Sequence, residues 1–129
     1  MPGISALKEK LDSVLRRFKE GRRRGLVLTL LAVARLAERG EEITAESVRD
    51  EARRIMDERP DVDWGVSREE YTVGMASSLL RELVEMGVLE EAGPGEAPKY
   101  RVASYSDGDP VREIYARFGY LIFYGGPAR

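Results

Sequence analysis

A chain of 129 residues has room for one domain of ordinary size and not for two. It contains neither cysteine nor histidine, which excludes disulfide frameworks, thiolate metal sites and the histidine-based mechanisms of most hydrolases and zinc enzymes, so no catalytic activity is expected. The net charge of −2 hides an uneven distribution, with +5 over residues 1–25, −4 over each of 26–65 and 66–91, and +1 over the remainder; a polyanion-binding surface must therefore draw on the N-terminal segment or on a hairpin near residue 100.

Ile4, Leu7, Leu11, Val14, Leu15 and Phe18 recur at helical spacing. They predict an amphipathic helix over residues 5–20 with a basic polar face, stopping near Gly21. Residues 23–39 are apolar around most of the circumference and predict a helix buried on several sides that ends at Gly40. "EEIT" is a short extended piece, and Thr44 caps a third helix to about Glu58, with Glu46 near its positive end and Val48, Ala52 and Ile55 along one buried edge. "RPDVDWGV" is a loop pinned by Trp64 and Val66.

Ser67 and Glu70 have the spacing of a capping box, which predicts that the next helix starts there. At 100° per residue Val73, Ala76, Leu79, Leu80 and Leu83 share a buried face, and Tyr71, Gly74, Ser78, Arg81 and Glu85 form the exposed one. Gly87 ends this helix. Residues 88–91 and 99–103 predict two strands around a "GPGEAP" tip, with Tyr100 and Val102 inward and Lys99 and Arg101 outward. Asp109 and Pro110 open a last helix to about Phe118, followed by the aromatic tail "GYLIFYGGPAR".

Little else carries chemistry. Asp107, Asp109 and Glu113 supply three carboxylates, but capping of the last helix accounts for Asp109 without a metal; "GPGEAP" lacks the lysine and following helix of a phosphate loop. No cofactor and no metal are expected. The chain has no Asn or Gln, and Arg outnumbers Lys 17 to 4, the composition expected of a thermophile protein with a guanidinium-rich basic surface. No apolar run approaches the roughly 20 residues of a membrane span, and the N-terminus lacks the order of a signal peptide, so a cytoplasmic location is expected.

"ITAESVRDEARRI", a helix containing "SSLLRELVEMGVLEE", a Gly/Pro turn and "KYRV" together resemble the winged helix-turn-helix superfamily. The pattern L-x-x-L-x-x-x-G-x-L that marks the end of its recognition helix is Leu80, Leu83, Gly87 and Leu89 here. The layout is similar to prokaryotic transcriptional regulators and to the C-terminal winged domain of archaeal replication initiators. The expected fold is mainly α with a small β-wing, in one domain over residues 1–129. Its winged core covers about 23–103, flanked by the N-terminal helix 5–20 and by a C-terminal helix and aromatic tail over 109–129.

The resemblance implies double-stranded DNA as partner and transcriptional regulation as function, with the recognition helix in the major groove and the wing on the backbone or minor groove. Carried over by position, the contact residues are Arg68, Tyr71, Ser78 and Arg81 on the helix and Lys99 and Arg101 on the wing. The helix departs from the pattern by carrying Glu69, Glu70, Glu82 and Glu85 against two arginines, a field that repels a duplex. Arg16, Arg17, Lys19, Arg22, Arg23 and Arg24 read either as a compensating phosphate patch or as a solvated helix end; the packing of the first helix decides. The alternative is a winged helix used for protein–protein interaction, where acidic faces are acceptable. Regulators of this kind dimerise through flanking helices. A homodimer is thus expected to bury Ile4, Leu7 and Leu11 with the aromatics Tyr115, Phe118, Tyr120, Phe123 and Tyr124.

Overall fold

The computed structural model describes residues 3–93 and 98–123, so residues 94–97 of the hairpin tip, Tyr124 and the rest of the tail lie outside it. In chain order the elements are α1 (Ile4–Lys19), α2 (Arg24–Glu38), β1 (Ile43–Thr44), α3 (Ala45–Glu58), α4 (Val73–Glu85), β2 (Leu89–Glu91), β3 (Lys99–Val102), α5 (Pro110–Phe118) and α6 (Tyr120–Phe123). The protein is therefore mainly helical with a small antiparallel sheet. No helix among the described residues is long and apolar enough to cross a membrane.

α2 is the centre of the core. Every residue from Leu26 to Ala34 is buried, because α1, α3, α4 and α5 surround it. The all-round apolar sequence of this segment has that cause. α1 presents Ile4, Leu7, Leu11, Val14 and Phe18 to α2 and α5, so this stripe is consumed within the chain. Ile4, Leu7 and Leu11 are thus not available to a dimer seam, contrary to the expectation from the sequence. Of the large apolar side chains described, Tyr120 (40 % exposed) and Phe123 (60 %) remain on the surface.

The "EEIT" segment contributes more than an extended piece. β1 pairs with β3 (Ile43 opposite Tyr100, Thr44 opposite Lys99) and β2 pairs with β3 on the other side, giving the sheet order β1-β3-β2. Tyr100 is buried and Val102 half-buried, while Lys99 and Arg101 point outward, as the alternation requires. Thr44 and Ser47 form a capping box at the start of α3: the Ser47 amide donates to Thr44 Oγ1 at 3.1 Å and the Thr44 amide to Ser47 Oγ at 2.9 Å. Asp109 caps α5 through the Val111 amide at 3.0 Å, with Pro110 in the first turn.

The start of α4 differs from the sequence expectation. The reciprocal bonds of Ser67 and Glu70 form, at 2.7 and 3.2 Å, but they close a separate turn. α4 begins six residues later, where Thr72 Oγ1 accepts the Met75 amide at 3.2 Å. The cause is Tyr71, which enters the core between the two caps. Its ring is fully buried and its hydroxyl lies 2.6 Å from Thr29 Oγ1 on α2, and the next residue, Thr72, is extended (φ −92°, ψ 172°), which separates the turn from α4.

Candidate nucleic-acid interface

The exposed face of α4 consists of Gly74, Ser78, Arg81 and Glu85. What stands beside it follows from the turn between α1 and α2. Gly21 (φ 78°) and Arg23 (φ 55°) adopt the left-handed conformation, which reverses the chain after the last turn of α1. Gly25 then lies against α4: a Cβ there would stand 3.6 Å from both Leu79 and Val66. The start of α2 is thus laid along the N-terminal half of α4, and the arginine run arrives with it.

Arg23 forms a salt bridge with Glu82 of α4. Arg24 sits over the Phe18 ring, 4.8 Å from its centroid, and donates from Nη1 to the Asp63 carbonyl at 3.0 Å. Arg23 and Arg24 share with Thr72, Gly74, Ser78 and Glu82 the walls of one groove of about 590 Å³. Of the α4 carboxylates weighed against nucleic-acid contact, Glu82 is answered by this turn. Glu69 and Glu70 belong to the preceding turn and not to α4.

The other expected contact residues are dispersed. Tyr71 is a core residue and makes no surface; burial raises its phenol above the ordinary value, and Thr29 offsets this only in part. Arg68 lies on the turn before α4, where its Nε donates to Asp57 of α3 at 3.1 Å. On the sheet Lys99 pairs with Glu42 at 2.6 Å, and Arg101 with Glu90, its cross-strand partner, at 2.8 Å. Arg22 pairs with Glu20, whose carboxyl is held below its ordinary range by that hydrogen bond. Among the described residues Arg16, Arg17, Lys19 and Arg81 form no salt bridge. Ser78 is exposed on α4 within the groove.

The three carboxylates near residue 110 each have a local task. Asp107 accepts the Ile4 amide at 2.7 Å, Asp109 caps α5, and Glu113 pairs with Arg117 at 2.9 Å.

Glu51 escaped the reading of the sequence. Its side chain is 1 % exposed and receives Arg35 at 2.8 Å, Arg39 at 2.6 Å and Arg54 at 2.8 Å. Burial pushes this carboxyl up, and the three guanidiniums outweigh it and hold the group below its ordinary range. Arg35 reaches on to Glu58 and Arg39 to Glu41, so the network fastens α2 to α3. The signal was present: Glu51 falls on the same helical edge as Val48, Ala52 and Ile55, where a carboxylate must find partners.

No family model matches the chain, and neither a curated protein nor a solved structure is detectably similar to it.

Proposed function

We propose that residues 24–102 form a winged helix and that the protein binds double-stranded DNA as a transcriptional regulator. The fold half of this reading is supported by the succession helix, strand, helix, helix, strand, strand together with the strand order β1-β3-β2. One observation carries the functional half: the salt bridge of Arg23 to Glu82 joins the arginine-rich turn to the outer face of α4. A duplex that takes α4 into its major groove, about 12 Å wide, then meets the turn at its phosphate backbone. The small residues Gly74 and Ser78 let the backbone of α4 approach closely. Surface ion pairs are worth about 0–1 kcal/mol, so a phosphate exchanges with Glu82 on Arg23 at little cost.

A protein-interaction module is the second reading, and one observation favours it. Lys99 and Arg101, the outward cations of the β2–β3 hairpin, are each held by a carboxylate. Fluorescence anisotropy with a random-sequence duplex at low salt separates the two. DNA binding predicts saturable association that weakens steeply as salt is added; no association at low salt leaves the interaction module. Dimerisation, in this proposal, uses the outer face of α6 with Tyr120 and Phe123. Light scattering across concentrations checks it, and a single-chain mass throughout removes it.

A further inference from the structure

The groove beside α4 is chemically mixed in a way that contact with a phosphate backbone does not require. Its volume of about 590 Å³ falls in the range of small-molecule sites, roughly 300–1,000 Å³. Val66, Met75 and Leu79 give it an apolar wall, and Thr72 and Ser78 contribute hydroxyls. Glycine keeps it open. At Gly65 (φ 79°) a Cβ would come within 3.0 Å of Arg24 Cβ, and at Gly74 the nearest atom, Thr72 Oγ1, is 3.7 Å away.

The cationic edge has donors to spare. Arg23 meets Glu82 through Nη2, and Arg24 meets the Asp63 carbonyl through Nη1. Arg24 Nε is enclosed and cannot reach the groove, so the spare donors are the other terminal nitrogens, Nη1 of Arg23 and Nη2 of Arg24. Among the described residues no side chain caps the start of α2, whose Gly25 and Leu26 also line the groove. A planar guanidinium fork matches a carboxylate, and Glu82 on Arg23 is already an instance of that pairing. A bare phosphate leaves the apolar wall in water, and a neutral apolar molecule leaves the guanidiniums unanswered.

We propose that this groove binds a small organic monoanion, a carboxylate on a flat apolar body. The carboxylate lies toward Arg23 and Arg24, and the body lies on Val66, Met75 and Leu79. The inference stands apart from the DNA-binding reading, because it is tested with no DNA present.

The experiment is an amide NMR titration of the full chain with benzoate and with 2-naphthoate. The amides of Gly25, Gly65 and Gly74, which line the groove, are expected to shift saturably, while those of Gly40 and Gly93, which do not line it, stay in place. Inorganic phosphate and benzyl alcohol, each supplying half of the chemistry, are expected to bind at least about tenfold more weakly, the loss of one charge-assisted or one apolar contact. Gly74→Leu fills the groove and raises helix propensity, so the fold is retained and the shifts disappear. Arg24→Gln weakens binding by about tenfold or more; should that variant not fold, Gly74→Leu decides alone. The proposal is overturned by absence of saturation with both carboxylates, by phosphate or benzyl alcohol binding as tightly, or by shifts that survive in Gly74→Leu.

Discussion

Between α2 and α3 three guanidiniums close on Glu51, a carboxylate only 1 % exposed; between the α1–α2 turn and α4, Arg23 meets Glu82 at the surface beside an open groove. The ingredients are the same and the consequences differ. In the first region every oxygen of the buried acid is answered and water is excluded, so removing a partner strands a charge. In the second the pair is hydrated and worth little, so its arginine can be lent to another anion. Burial, not residue type, separates a structural arginine from one available for binding.

The largest effect is expected from Glu51→Ala. It leaves Arg35 and Arg39 to their outer partners Glu58 and Glu41 and lets Arg54 turn to water, so the cost in urea unfolding should lie at the low end for a broken buried pair, about 3 kcal/mol. A loss below about 1 kcal/mol would place this network in the same class as the surface pairs.

Acid titration sharpens the same contrast. The Glu51 and Glu58 carboxyls sit below their ordinary values in the folded protein, Glu51 through its guanidiniums against burial and Glu58 through its hydrogen bond from Arg35. The unfolded chain therefore takes up more protons as the pH drops. The stabilisation is complete above the unfolded carboxylate value of about 4.3 and is lost as pH falls through the folded values. Unfolding free energy should decline below about pH 5 in the native chain, and the decline should be shallower in Glu51→Ala. Parallel curves would mean that Glu51 carries no linkage.

Tyr71→Phe removes the hydroxyl bonded to Thr29 and keeps the ring, so a loss of about 1 kcal/mol is expected. Duplex affinity should be unchanged, since the side chain lies in the core; a drop in affinity without a drop in stability would put Tyr71 back on the surface. The smallest effect on stability belongs to Glu82→Ala, less than about 1 kcal/mol. Its informative readout is binding: with Arg23 released and a negative charge gone, duplex affinity should rise.

The helices were legible because their signals are local. Thr44, Asp109 and Pro110 place the starts of α3 and α5, and the apolar period of α1 and α2 needs no knowledge of neighbours. The start of α4 was not, because two caps compete within six residues and the choice is made by Tyr71 reaching Thr29, 42 positions away in sequence. The same limit applies to β1, whose partner β3 lies beyond two helices. Of the candidate contact residues, Ser78 and Arg81 could be placed by helical phase. The relation of Arg22, Arg23 and Arg24 to α4 could not, since it depends on a left-handed Arg23 and on Gly25 resting against Leu79.

In the proposed mode of binding, the α1–α2 turn and α4 form one duplex-binding surface. It is tested most directly by the salt dependence of duplex affinity for the native chain and for the Arg22→Ala, Arg23→Ala, Arg24→Ala triple variant. With about six phosphate contacts the native log–log slope should be near −5 by counterion release, and the variant's should be shallower by about 2 to 3. An unchanged slope would place Arg22, Arg23 and Arg24 outside any duplex contact.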